Sequence, residues 1–162
     1  MSSCNRRTFF LLLAAPLAAC GFTPAYAPAG PAASLQGAIR IAAPSDKNGF
    51  DLVERLEERL GRPQAPRFAL AYTITTTAIG VGITPENAIT RYHLTGAVDW
   101  TLSNTAGSRI AGGRVESFTA YSATGSTVAG LAAEEDAAFR LMRILADQIV
   151  TRLLATSAQW AS

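Results

Sequence analysis

The chain has 162 residues, with 14 Lys and Arg against 12 Asp and Glu. Arg6 and Arg7 account for the whole excess, which argues against a nucleic-acid binder because such proteins gather surplus cations on one face. Charged residues make up 16% and hydrophobic residues 49% of the chain, against about 25% charged in an average soluble domain. The composition therefore excludes a disordered chain and suits one compact domain.

The first twenty residues have the pattern of a bacterial export leader. Arg6 and Arg7 precede the apolar stretch 9–19, and small residues lead into Cys20. Eleven helical residues rise only about 16 Å, well short of the hydrocarbon core of a bilayer. We therefore predict a cleaved signal peptide over residues 1–19 and no membrane-spanning anchor.

The segment Leu17-Ala18-Ala19-Cys20 resembles the lipobox of bacterial lipoproteins. The resemblance implies a diacylglyceryl group on the Cys20 thiol and an acyl chain such as palmitate on its amine, which would anchor the protein stably. The alternative is an ordinary secretory signal with an accidental cysteine, which would leave a lone thiol because Cys4 departs with the leader. No metal and no cofactor other than this covalent lipid is expected.

The leader leaves its export route open and suggests a destination. Arg6-Arg7 resembles a twin-arginine signal but equally suits a general secretory one. Gly21 follows the lipidated position, as in lipoproteins sorted to the outer membrane. We expect a lipid-anchored protein at the outer membrane, facing the periplasm.

Residues 20–34 are rich in Pro, Gly and Ala and carry no charge. This composition predicts an extended tether. Residues 35–162 then form a single domain.

Hydrophobic periodicity predicts the elements of that domain. Ile39 and Ile41 indicate a short strand. A one-faced helix follows, capped by Asn48 and Gly61, with a stripe made of Phe50, Val53, Leu56 and Leu60.

The middle of the chain alternates and is rich in threonine, which predicts three strands over 68–75, 91–101 and 109–121. Gly80-Val81-Gly82 is interpreted as a turn, and Gly112-Gly113 as a bulge. A long helix then runs over 127–158, with an apolar stripe made of Ala138, Leu141, Met142, Leu145, Ile149 and Leu153.

The order β-α-β-β-β-α predicts an α+β two-layer sandwich, with a mostly antiparallel four-stranded sheet and two helices on one face. The opposite face would display Thr, Ala and Gly together with Arg91 and His93. Such a sparsely charged face suits another β-structure or a larger enclosure, although a simply solvated face is equally compatible with the composition.

Catalytic groups are scarce. His93 is the only histidine, so a Cys/His zinc site or a Cys-His nucleophile cannot be assembled once Cys20 is acylated. His93 and Asp99 are six residues apart on one strand, about 20 Å, which is too far for a triad. Glu86, Asp99 and Glu116 could still converge as paired carboxylates, which leaves a lipid-anchored hydrolase as one alternative.

Several features together resemble the LptE family of lipopolysaccharide-assembly lipoproteins. They are the opening Cys20-Gly21-Phe22-Thr23-Pro24-Ala25-Tyr26, the element order, Arg91-Tyr92-His93-Leu94, Ser117-Phe118-Thr119-Ala120-Tyr121 and the long Ala-rich terminal helix. The resemblance implies a non-enzymatic subunit of the lipopolysaccharide translocon. That subunit would sit as a plug inside the β-barrel protein LptD, assist assembly of the barrel, and help deliver lipopolysaccharide to the outer leaflet.

The resemblance also implies contact with lipopolysaccharide through basic residues. Arg91, Arg109 and Arg114 are the cations of the strand region and become the lipid-binding candidates, although they would serve equally as ion-pair partners of a barrel. A lipoprotein adaptor or pilot for a different envelope pore is the other alternative.

Overall fold

The computed structural model describes residues 30–85, 88–122 and 127–160. The predicted leader 1–19, the lipidation candidate Cys20, most of the predicted tether and Glu86 lie outside the described residues. The elements in chain order are α1 (Pro31–Leu35), β1 (Ile39–Ile41), α2 (Lys47–Leu60), β2 (Phe68–Ile83), β3 (Ile89–Asn104), β4 (Arg109–Ser122), α3 (Thr127–Thr156) and a 3₁₀ turn (Ser157–Gln159).

The four strands form one sheet in the order β1-β2-β3-β4. β1 pairs with β2 in parallel, and the other two pairings are antiparallel. Helices α2 and α3 pack against each other, and α3 also packs on β3 and β4. The predicted α+β sandwich is therefore confirmed.

The β2–β3 hairpin is longer than the sequence pattern predicted. Both strands have 16 residues, and their pairing runs from Phe68 opposite Asn104 to Ile83 opposite Ile89. At about 3.3 Å per residue the hairpin measures roughly 50 Å. We call the end of the domain at Phe68 and Asn104 the base, and the end at Ile83 and Ile89 the tip.

Residues 31–34, predicted to belong to the extended tether, form α1 together with Leu35. Alanine and leucine are strong helix formers, and proline is favoured at a first helical position. Ala32 and Leu35 are buried in the core. The helix ends before Gly37, which has a φ of +65° and donates its N–H to the Leu60 carbonyl at 2.8 Å.

Helix α2 begins two residues earlier than predicted. Its N-cap is Asp46 and not Asn48, because the Asp46 carboxylate accepts the Gly49 N–H at 2.7 Å. Gly61 ends the helix at a φ of +75°, as predicted.

The buried stripe of α2 is also rotated from the predicted one. Leu52, Leu56 and Leu60 are buried, whereas Phe50 is 59% exposed and Val53 is half-buried. Spacing by four residues favours the leucine stripe as well as the predicted one, and packing against α3 selects the leucines.

The core lies between the helices and the sheet. Helix α3 contributes eight buried residues, which include all of the predicted stripe except the half-buried Ala138. On the outer side of the helices Asp147 accepts hydrogen bonds from Arg55 at 3.0 Å and from Arg59 at 2.7 Å. This bridge fixes α2 against α3, and Arg143 of α3 adds a second link by reaching Glu58 of α2 at 3.3 Å.

Two glycine motifs behave differently from their predictions. Gly80-Val81-Gly82 is not a turn, because it continues β2 through a register irregularity. Gly112-Gly113 pairs in regular register, and the irregularity between β3 and β4 falls at Leu102/Ser103. Gly113 lies opposite Trp100, and a Cβ added at Gly113 would lie in ordinary contact with the indole ring, at 3.8 Å.

Candidate partner-binding face

The helices cover one face of the sheet, and the other face is open. The strand register places alternate residues of β2, β3 and β4 on this open face. Near its centre these are mostly small or hydroxyl side chains, namely Ala69, Ala71, Thr73, Thr75, Thr77, Thr95, Ala97 and Thr101. The open face is therefore uncharged along β2. Strands β3 and β4 add Arg91, Asp99, Arg109, Arg114 and Glu116 to it, which is more charge than the sequence pattern predicted.

The three predicted cations, Arg91, Arg109 and Arg114, all lie on the open face. Arg109 and Arg114 line a shared cavity of about 500 Å³ together with Asp99. Arg91 is eight residues from Asp99 along β3, which corresponds to about 26 Å. The structure thus brings together two of the three candidates and leaves Arg91 near the tip.

Arg114 is already paired. Its guanidinium lies 2.6 Å from the Glu116 carboxylate and 2.7 Å from the Asp99 carboxylate. The hydrogen bond to Glu116 and the charge of Asp99 raise the pKa of Arg114. Because this guanidinium already engages two carboxylates, Arg114 is a weak candidate for lipid phosphates, and Arg109 is the better one.

The same contacts bear on the alternative of paired catalytic carboxylates. Asp99 and Glu116 do lie close together on the open face, but both bind Arg114. Both carboxylates are thus engaged by one guanidinium, which leaves neither free to act on a substrate as one of a catalytic pair. Glu86, the third candidate, lies outside the described residues.

His93 lies on the open face near the tip. Its ring contacts Phe118 at 5.6 Å between centroids, and Ile79 stands opposite it on β2. Across the described chain no three His, Cys, Asp or Glu side chains are grouped so that they could hold a metal ion.

The open face also carries apolar residues that the sequence interpretation missed. Ile79 is 55%, Phe118 62% and Ile83 65% exposed. Ile79 and Phe118 lie on the open face, whereas Ile83 and Ile89 are exposed at the end of the hairpin, beyond its register irregularities. We call these four exposed apolar residues at and near the tip the tip patch (Ile79, Ile83, Ile89 and Phe118). The alternation of Thr75, Thr77 and Ile79 could have revealed part of it if the strand had been extended past residue 75.

Exposed isoleucine and phenylalanine in one region are typical of a surface that binds another molecule. The fold is that of a small α+β domain with exposed apolar side chains on and beside its open face. Within the part of the chain described, no helix is both long and apolar enough to cross a membrane.

Comparison with known proteins places this domain in a family. The family model of LptE, lipopolysaccharide assembly, matches residues 37–153. The chain therefore belongs to the LptE family of lipopolysaccharide-assembly lipoproteins, which is a family of assembly proteins and not of enzymes. No curated protein sequence matches the chain significantly.

Solved structures share the fold. A lipoprotein of Caulobacter crescentus CB15 is 25% identical with a TM-score of 0.68, over 81% of this chain and 97% of its own. Rare lipoprotein B of Shewanella oneidensis is 14% identical with a TM-score of 0.60, over 77% and 98%. A minor lipoprotein of Acinetobacter baumannii is 19% identical with a TM-score of 0.51, over 75% and 89%.

Proposed function

We propose that this protein is a non-enzymatic outer-membrane lipoprotein, acylated at Cys20, that plugs an LptD-like β-barrel. In this role it assists assembly of the barrel and the delivery of lipopolysaccharide to the outer leaflet. Membership of the LptE family supports lipopolysaccharide assembly. The open face with its tip patch is the observation that supports enclosure by a partner.

The shape of the domain suits a plug. The β2–β3 hairpin and the 30-residue helix α3 are both elongated, at about 50 Å and about 45 Å respectively. The open face runs along the hairpin and has a net charge close to zero near its middle, where Arg114 is paired with Asp99 and Glu116. These three charges are therefore already paired before a partner covers the open face, which limits the cost of burying them.

The tip patch adds a favourable contribution to the free energy of binding. Burial of apolar surface contributes about 25 cal/mol per Å², and Ile83 and Phe118 are each more than 60% exposed. A partner that covers these side chains gains affinity without changing the fold of the domain.

Affinity purification from detergent-solubilised envelopes tests this proposal. We expect a large β-barrel protein in a ratio near 1:1. Phe118→Asp should reduce recovery of the barrel at least tenfold, because a buried charge replaces an aromatic ring in the contact.

Phe50→Asp is a matched control, because Phe50 has a similar exposure but lies on the helical layer. It should leave recovery unchanged. Equal loss from both variants would argue against the open face as the interface, and recovery of a different envelope pore would favour the adaptor alternative.

Acylation of Cys20 is tested separately by mass spectrometry of the purified protein. A diacylglyceryl and acyl mass on the terminal cysteine is expected. An unmodified thiol would overturn the lipid anchor.

A further inference from the structure

A second surface lies at the base of the sheet, away from the tip patch. It is a groove of about 410 Å³ whose lining includes Arg40, Pro66, Arg67, Ser103, Asn104 and Thr105. We call it the basal groove. Two guanidinium groups and several side chains able to form hydrogen bonds make it suited to a phosphate group.

The strand order assembles this charge from distant parts of the sequence. Arg40 on β1 pairs with Ala69, Ala69 with Ser103, and Ser103 with Arg109. The two arginines therefore share one row across four strands, about 14 Å apart at the backbone. Among the described residues neither Arg40 nor Arg109 takes part in an ion pair.

Arg67 is held in position within the basal groove. Its guanidinium donates to the Ser34 carbonyl at 3.1 Å and stands 5.3 Å from the centre of the Phe68 ring. These two contacts restrict the side chain, so less conformational entropy is lost when it binds an anion.

The base carries positive charge that no carboxylate neutralises, even though the chain without its leader is neutral. Arg40, Arg67 and Arg109 all lie there, and among the described residues none of them takes part in an ion pair. The nearby Arg62 and Arg114 do not add to this excess, because Arg62 pairs with Glu57 and Arg114 with Asp99 and Glu116.

The path of the chain indicates which anion is within reach. The chain enters the domain through α1, whose Ser34 binds Arg67. Cys20 precedes Gly30 by ten residues, which span at most about 35 Å. A membrane that holds acyl chains on Cys20 therefore lies within that distance of the point where the chain enters the domain, and this point lies next to the basal groove.

We propose that the basal groove binds the phosphate of an acidic phospholipid headgroup in the leaflet that holds the Cys20 acyl chains. The proposal rests on the lipid anchor of the proposed function and adds a second, electrostatic contact. The anchor alone leaves the orientation of the domain free, whereas docking of the base fixes the hairpin so that its tip points away from that leaflet.

Energy transfer from tryptophan to a dansyl group on lipid headgroups measures this docking. Trp160 packs edge-on against Phe68 with ring centroids 5.2 Å apart, so it reports the position of the base. Full-length acylated protein is reconstituted in phosphatidylcholine vesicles with or without phosphatidylglycerol. Transfer should rise when phosphatidylglycerol is present and fall back in about 1 M salt, where the Debye length is about 3 Å.

Variants distinguish binding at the basal groove from an effect of the protein's net charge. Each arginine near an anionic surface shifts the equilibrium between undocked and docked protein about fivefold. Arg40→Gln removes an exposed side chain and should lower the docked-to-undocked ratio by about that factor, and adding Arg67→Gln should lower it further. Arg140→Gln, an equal charge loss at an exposed position of α3, should have no effect.

The outcomes distinguish the two proposals. Absence of the protein from phosphatidylcholine vesicles would mean that the anchor has failed, independently of the groove. Equal transfer with and without phosphatidylglycerol, or equal effects of Arg40→Gln and Arg140→Gln, would overturn the basal groove. A rise with lipopolysaccharide but not with phosphatidylglycerol would overturn the assignment to phospholipid.

Discussion

Both halves of β2 are rich in apolar residues, but the two halves have different surroundings. In the first half Phe68 and Leu70 are buried in the core, whereas Ile79 and Ile83 in the second half are mostly exposed. Neither β1 nor α2 extends over the second half. Burial near the base therefore stabilises the fold, while apolar side chains near the tip remain available for a partner.

The largest expected effect comes from one truncation in each region. Leu141→Ala removes a fully buried side chain that packs near Gly96 and should lower the free energy of unfolding by about 2 to 5 kcal/mol. Ile79→Ala should change it by less than about 0.5 kcal/mol because the side chain is largely exposed. Urea unfolding followed by circular dichroism measures both. A similar decrease in the free energy of unfolding for both variants would show that Ile79 near the tip stabilises the fold as much as a core residue does.

A second contrast uses two glycines. A Cβ at Gly96 would stand 2.8 Å from a methyl carbon of Leu141, so Gly96→Ala should cost about 1 to 3 kcal/mol. A Cβ at Gly130 meets nothing within 4 Å. Gly130→Ala should therefore stabilise α3 by up to about 1 kcal/mol. Thermal unfolding of the two variants should shift in opposite directions, and a stabilised Gly96→Ala would contradict the tight packing of helix on sheet.

The smallest effect concerns the ion pairs between the helices. Hydrogen bonding from Arg55 lowers the pKa of Glu58 below its ordinary value of 4.5. Because the folded pKa is the lower one, this contribution to stability is present above pH 4.5 and disappears as the pH falls through the folded pKa. The Glu58→Gln variant should lose less stability than the parent between pH 5 and pH 3, although the difference is small at so exposed a site.

A neighbouring glutamate supplies the control for this titration. Glu54 lies on the same helix and is exposed. Glu54→Gln removes the same charge from α2 but leaves the pair between Arg55 and Glu58 in place. If both variants flatten the curve equally, the effect belongs to net charge and not to the pair with Arg55.

The sequence predicts the fold wherever periodicity has one interpretation. The alternation of Tyr92, Leu94, Val98 and Trp100 places β3 correctly, and α3 follows from its stripe. The prediction fails where two hydrophobic patterns are equally possible, as in α2, where Leu52 and not Phe50 is buried. It also fails where pairing overrides local preference, as at Gly80-Val81-Gly82, which neighbouring β3 keeps in a strand.

The candidate surfaces divide in the same way. Alternation within β3 places Arg91 on the open face by sequence alone. Arg109 and Arg114 are five residues apart on β4, and they share that face only because of the irregularity opposite Leu102 and Ser103. The basal groove does not follow from alternation either, because Arg40 and Arg67 meet Ser103 only through the order of strands in the sheet. Local pattern cannot reveal a site that depends on long-range pairing.

Site-specific photo-crosslinking in intact cells tests most directly whether a partner barrel covers the open face. Benzoylphenylalanine replaces Phe118 on the open face in one variant and Phe50 on the helical layer in another, two phenylalanines of nearly equal exposure. We expect irradiation to join position 118, and not position 50, to a large β-barrel protein. Crosslinks from position 50 with none from position 118 would contradict the proposed interface.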